Sequence, residues 1–208
     1  MLYAVLTVLL VAVGCFAFLP RFKKTIERYS VGVNFILTLL ATLVGVLVAI
    51  SISEYRAQQA QKEDVVKLLN AAIETVDTSL DYSTSMNVYV QSLQNEQLVE
   101  SVYKNNDLPA PTYLDDIIVQ PIVSKNISPA GLGAINNLII INKYLNSDLK
   151  NLARYIINLQ TLKEVLESEV EYQSDLIDLE QLERRVELLK QRLGEQLKEQ
   201  QGAAEAAP

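Results

Sequence analysis

The chain has 208 residues, half of them hydrophobic, and a net charge of −7 that is divided sharply along its length. Residues 1–52 hold four Lys/Arg and one Glu, net +3, whereas residues 53–208 hold fourteen Lys/Arg against twenty-four Asp/Glu, net −10. So acidic a second part argues against nucleic-acid binding, and the absence of His beside a single Cys argues against Cys–His catalysis and His- or Cys-rich metal sites.

The first predicted element is Leu2–Leu19, eighteen residues without a charged side chain. That is close to the minimum for crossing a bilayer core of about 30 Å. It lacks the basic leader and small-residue cleavage site of a signal peptide, and Val11–Cys15 matches a lipoprotein processing site only loosely, so a retained anchor is expected. The lone Cys15 lies within it and has no partner for an intramolecular disulfide. A connector over residues 20–30 follows, with Arg21, Lys23, Lys24 and Arg28. Val31–Ile52 is again uncharged over twenty-two residues and is flanked by Tyr29 and Tyr55, residues suited to the headgroup layer. Basic residues in short loops stay cytoplasmic. The connector is therefore expected inside, and residues 53–208 are expected to be extracytoplasmic.

In the second span Ala41, Gly45, Ala49 and Ser53 recur at every fourth position. Small residues at that spacing let helices approach closely. The ridge would receive either the chain's own first span or another copy or membrane protein, with Asn34 able to hydrogen-bond across either interface. The run Gly45-Val46-Leu47-Val48-Ala49-Ile50-Ser51-Ile52-Ser53-Glu54-Tyr55 resembles the span exit of a group of bacterial membrane-anchored helical proteins of uncharacterised function. The resemblance covers roughly Phe35–Leu80. Tyr55 stands where Trp is common in that group, and this chain adds a first span. The resemblance implies a bacterial inner-membrane setting and carries over no functional residue.

From Glu54 to Asn105 the chain has no Gly and no Pro. A helical stripe runs through Val65, Leu69, Ala72 and Val76, then Met86, Val90 and Leu93. The Ser/Thr/Asp-rich stretch Thr75–Asn87 weakens the helical signal, because such side chains compete for backbone hydrogen bonds. A helix over 53–106 is expected to stop at Asp107-Leu108-Pro109-Ala110-Pro111. Residues 107–128 then form a short helical cap. Its aliphatic residues Ile117, Ile118, Ile122 and Val123 either plug the end of a bundle or meet a partner. Ser128 is an N-cap and Pro129 a first helical residue.

Leucines 138, 145, 152, 159 and 166 fall at strict seven-residue intervals. Ile135, Leu149 and Ile156 take the complementary positions, and Asn142 is a polar interruption of the kind that fixes register. The spacing predicts a coiled-coil-like seam on a helix spanning 129–200, on the order of 100 Å long if unbroken. Its register slips near Tyr172–Asp175. A disordered tail over 201–208 is expected.

Motifs for chemistry are sparse. Ser101–Lys104 and Ser147–Lys150 match S-x-x-K without its companion elements. Gly131-Leu132-Gly133 lacks the context of a phosphate-binding loop and is better read as a flexible or tightly packed helical turn. Asp115-Asp116 reads as first-turn helix charge. No catalytic, cofactor-binding or metal-binding residue is predicted, and no cofactor.

The sequence thus predicts an all-α protein. A two-helix transmembrane hairpin (1–52) precedes an antiparallel helical stalk (53–200) with a short cap. The expected role is a non-catalytic, membrane-anchored scaffold or accessory subunit. Its partners would be membrane lipid and either itself, as a homo-oligomer, or another membrane protein. The alternative is a membrane sensor or effector whose stalk couples a signal to the spans, with Asn142, Lys163 and the Thr75–Asn87 face as its loose points.

Overall fold

The computed structural model describes residues 7–8, 10–12, 30–106, 108–145 and 151–205. Among these residues every regular element is helical and no strand is present, so the fold class is all-α. In chain order the helices are α1 (Ser30–Ser92), α2 (Glu96–Asn105), α3 (Leu114–Ile118), α4 (Pro121–Asn126), α5 (Pro129–Leu145), α6 (Leu152–Gln173) and α7 (Leu179–Glu205). The chain divides into two compact units, Met1–Ala60 and Gln61–Pro208, and α1 contributes to both.

In the first unit, α1 is the one described helix long and apolar enough to cross a membrane. Its most apolar eighteen-residue window has a mean hydropathy of 2.7, and only 6 % of that window is buried. Three of its hydroxyls are satisfied within the helix: Thr38, Thr42 and Ser51 donate to the carbonyls of Asn34, Thr38 and Leu47 at 2.8–2.9 Å. Bonds of this kind let a hydroxyl sit on an apolar helix without an outside partner. The less exposed face is Val33, Leu37, Leu40, Val44, Leu47 and Ser51, at alternating spacings of four and three. Of Leu2–Leu19 only Thr7, Val8, Leu10, Val11 and Ala12 are described, and they are helical. The connector residues Arg21, Lys23, Lys24 and Arg28 lie outside the described residues.

In the second unit α1 buries Val65, Leu69, Ala72, Val76, Ser79, Ser83, Met86 and Val90. This is an unbroken alternation of four- and three-residue steps, the stripe that places side chains on one helix face. The serines belong to it, contrary to the weakened signal expected there. Ser83 donates to the Ser79 carbonyl at 2.7 Å and Ser79 to that of Thr75 at 3.2 Å, so neither hydroxyl is orphaned by burial. The helix stops at Ser92 rather than near residue 106. Asn95 then opens α2, its side chain accepting from the Gln97 amide at 2.9 Å.

The cap folds as two short helices, and Pro121 begins α4 at its first position, where its missing N–H costs nothing. Leu108, Leu114, Ile117, Ile118, Val123 and Ile127 all enter the core.

The predicted helix over 129–200 is corrected to three helices, α5, α6 and α7, which reverse direction in turn. Asn142 meets Asn158 while Ser128 meets Glu169, and Glu171 meets Arg185 while Glu164 meets Arg192. The second reversal has a local cause. Asp175 takes a left-handed backbone (φ 58°), its amide donates to the Tyr172 carbonyl and that of Leu176 to Glu171. This is a Schellman C-cap formed without glycine. Asp178 and Gln181 then cap α7 reciprocally: the Gln181 amide donates to the Asp178 carboxylate at 2.8 Å, and the Asp178 amide to Gln181 Oε1 at 3.0 Å. Two ion pairs tie α6 and its C-terminal turn to α1, Lys163–Asp77 at 2.7 Å and Lys62–Asp175 at 2.5 Å.

Candidate functional site

The predicted seam residues lie in the core and not on a free helix edge. Ile135, Leu138, Asn142, Leu145, Leu152, Leu159 and Leu166 are buried and Ile156 is half-buried; Leu149 lies outside the described residues. A seven-residue repeat on one long helix would offer its seam to a second chain. Here the reversal between α5 and α6 turns the two halves of the repeat into one interior. The cap residues behave alike: Ile117, Ile118 and Val123 are buried and Ile122 half-buried, while the neighbouring Val119, 70 % exposed, faces outward. The ridge is different. Asn34, Ala41, Gly45, Ala49 and Ser53 are all exposed, and a Cβ added at Gly45 would meet nothing within 4 Å. The covered face of α1 in this unit is therefore not the small-residue face.

The N-terminus of α5 is a buried polar lock. Ser128 Oγ accepts from the Gly131 amide at 2.9 Å and donates to Glu169 Oε2 at 2.7 Å, while the Ser128 amide donates to Glu169 Oε1 at 2.9 Å. In an ordinary capping box the third helical residue supplies a Glu or Gln to the N-cap amide. Here that residue is Gly131, and the carboxylate comes from α6. A Cβ at position 131 would lie 2.3 Å from Glu169 Oε2, so glycine is what admits the carboxylate. Gln173 completes the lock by donating to Glu169 Oε1 at 2.9 Å and to the Asn126 carbonyl at 2.8 Å. The sequence shows Ser128 as an N-cap and Gly131–Gly133 as a flexible or tightly packed turn, but not the part of Glu169. The available signal was its phase, since Leu152, Tyr155, Leu159, Leu162, Leu166, Glu169 and Gln173 advance by threes and fours like a core stripe.

A second polar group lies farther along the same pair of helices. Asn158 Nδ2 donates to the Leu138 carbonyl at 2.9 Å and to Asn142 Oδ1 at 2.6 Å. The Leu138 carbonyl can only accept, which fixes the orientation of the Asn158 amide and, through it, that of Asn142. Asn142 Nδ2 and Asn158 Oδ1 are then left without a protein partner. Asn142 also lines a cleft of about 260 Å³ between α5 and residues 110–116. Beside it Lys143 pairs with Asp115, in the first turn of α3 as expected for helix charge. The cleft's far wall is fixed from two directions. The buried Tyr155 donates its hydroxyl to the Pro109 carbonyl at 2.6 Å, and Tyr113 holds a left-handed backbone (φ 65°) at the start of α3. Burial pushes the Tyr155 phenol well above its ordinary 10.0.

Comparison with protein families, with curated proteins and with solved structures yields no match to the chain. The functional reading therefore rests on the geometry above.

Proposed function

We propose that the chain is a non-catalytic, membrane-anchored helical scaffold or accessory subunit that assembles with itself or with another membrane protein. The observation that carries this reading is the bareness of α1 in the first unit. Phe35, Ile36, Leu39, Leu43 and Val46 are all exposed on a helix whose apolar window is 6 % buried. Leaving one such side chain in water forgoes about 1.5–3 kcal/mol, so lipid or protein must cover this surface. The exposed Ala41–Gly45–Ala49 ridge supports helix association as part of that cover. The finer architecture belongs to the same proposal. It comprises a two-span hairpin in a bacterial inner membrane, with connector 20–30 cytoplasmic and residues 53–208 extracytoplasmic. It also comprises an antiparallel stalk, which the pairing of Lys62 with Asp175 and of Asp77 with Lys163 supports.

The test is the mass of the full chain purified in mild detergent. Oligomers or a stable complex, reduced by Gly45→Leu, are the expected result. A strictly monomeric protein that co-purifies with nothing refutes the reading. Orientation is tested by labelling Val119→Cys in a Cys15→Ser background, where reaction in intact cells with an impermeant reagent is expected. A sensor or effector is the second reading, favoured by the unsatisfied Asn142–Asn158 pair as a point where α5 and α6 could repack. Ion leakage on expression, lost in Gly45→Leu, would distinguish it.

A further inference from the structure

We infer that α5 is a pivoting helix. Its first turn is fixed on α6, while its last turns pass between two positions: the described one, with a single Asn142–Asn158 bond, and one in which the two amides close into a doubly bonded pair. The count of bonds carries this. Asn158 Nδ2 spends both of its hydrogens, one on the Leu138 carbonyl and one on Asn142 Oδ1. The donor and the acceptor left over, Asn142 Nδ2 and Asn158 Oδ1, belong to the same two side chains, and both are enclosed by protein. Leaving them unmatched is costly, and solvent does not reach them. Two facing primary amides can match each other completely, and the second bond takes nothing from the Leu138 carbonyl. Turning a side chain alone does not form it. Asn158 is 0 % exposed and held by the Leu138 carbonyl, and rotating the Asn142 amide in place carries its Oδ1 off Asn158 Nδ2. The backbone at Asn142 has to move.

The two ends of α5 differ in their freedom to do so. At its start, buried hydrogen bonds join Ser128, Gly131, Glu169 and Gln173. Asn142 lies about 21 Å along the helix from Ser128, in the last turn before Leu145. There α5 forms one wall of the cleft of about 260 Å³, through Ile139, Asn142 and Lys143, so free volume flanks the part that has to shift. Across the cleft runs the exposed Lys143–Asp115 ion pair, a weak restraint. The opposite wall does not follow α5, because Tyr155 holds the Pro109 carbonyl. The pivot therefore changes the width of the cleft and stretches that ion pair. One buried hydrogen bond gained against that stretch keeps the two positions close in free energy, the condition for a minor state at about 0.1–10 %. The inference goes beyond both functional readings and rests on the packing of the second unit alone.

The experiment is methyl relaxation-dispersion NMR on the full chain in detergent micelles, with isoleucine and leucine methyls labelled. Microsecond-to-millisecond exchange is expected at Ile139, Ile141 and Leu145, and across the cleft at Leu114, with flat profiles at Leu132 and Leu166 beside the lock. The double variant Asn142→Leu/Asn158→Leu has no amides left to match and should lose the exchange. Asp115→Asn removes the tie across the cleft and should raise the minor population about twofold to fivefold. Asp115 is exposed and outside the core, so its variant tests the pivot even if the double variant perturbs folding. Flat profiles along α5, exchange equally strong at Leu132, exchange that persists in the double variant, or a population unchanged in Asp115→Asn overturns the inference. Ion leakage is not read, so the result is independent of whether the protein is a sensor.

Discussion

Gly131→Ala is the substitution on which helix propensity and tertiary geometry disagree in sign. Alanine in place of glycine inside a helix is worth about 1 kcal/mol in its favour. At position 131, however, the new Cβ would stand 2.3 Å from Glu169 Oε2 and 2.9 Å from Ser128 Oγ. The carboxylate must withdraw, yet Glu169 is fully buried and has no solvent to turn toward. Its three bonds, from the Ser128 amide, the Ser128 hydroxyl and Gln173, are hydrogen bonds to a charged group, worth about 1.5–3 kcal/mol each. Loss or distortion of one or two of them costs about 2–4 kcal/mol and outweighs the propensity gain. The net expectation is destabilisation by about 1–3 kcal/mol.

Glu169→Ala removes the obstacle along with the bonds. By itself it should cost about 3 kcal/mol or more, because it orphans a buried amide and the Gln173 donor. In that background Gly131→Ala should turn neutral or stabilise by up to about 1 kcal/mol, since the carboxylate is gone and only the Ser128 hydroxyl, still held by the residue 131 amide, has to shift slightly. The double-mutant cycle therefore predicts a coupling of about 1–4 kcal/mol. Urea unfolding in detergent, followed by far-UV circular dichroism, measures all four corners. A stabilising or neutral Gly131→Ala in the wild-type background would falsify the account of glycine as the opening for Glu169.

Asn158→Leu alone should destabilise by about 2 kcal/mol, because it strips Asn142 of its last partner inside the core. The double variant Asn142→Leu/Asn158→Leu should recover most of that loss or exceed wild type, and a double variant weaker than the single one would contradict it; thermal unfolding decides. Tyr155→Phe deletes the hydroxyl that holds the Pro109 carbonyl and should cost about 1 kcal/mol. Faster amide exchange confined to residues 108–118 is its expected signature. The Lys163 ammonium is held above its ordinary 10.5 first by its hydrogen bond to Asp77 and then by the charges of Asp77, Glu167 and Asp81, against the opposing effect of burial. A raised folded value means that the stabilisation is complete below about pH 10.5 and is lost as pH climbs through the folded value. The stability gap between wild type and Lys163→Met should thus stay flat from about pH 6 to 9 and close only above about 10.5.

The sequence made the apolar stripes legible wherever the stripe residues were large. Val65 to Val76 on α1 and the leucines from 138 to 166 were assigned to packed faces, and they are buried. It misled where a core position is filled by something small or polar. Ser79 and Ser83 continue the α1 stripe without a gap, but serine in a helix reads as competition for the backbone. The burial that outweighs this penalty depends on helices distant in sequence. The fold-back at residue 175 showed in the sequence only as a slip of the heptad register near Tyr172–Asp175, for a related reason. A left-handed C-cap is announced by glycine, and here it is aspartate. The box at Asp178 and Gln181 was the readable half of that turn.

Those same polar positions separate the satisfied locks of the core from its one unsatisfied pair among the described residues. Ser79, Ser83, Glu169 and Gln173 sit in core phase, and each has its hydrogen bonds supplied, either by its own helix or by the Ser128 cap. Such groups fix one arrangement of α1, α5 and α6 and ask nothing of a ligand. Asn142 and Asn158 occupy the same kind of position, and there the count fails by one donor and one acceptor. A polar pair in a helical interface is retained for register even at some cost in stability, but register requires only the bond that Asn158 already makes to Asn142 Oδ1. The remaining donor of Asn142 and the remaining acceptor of Asn158 are both enclosed by protein. Register explains the bond within that asparagine pair; the donor and the acceptor left over make it the place where the packing of α5 on α6 is held least firmly.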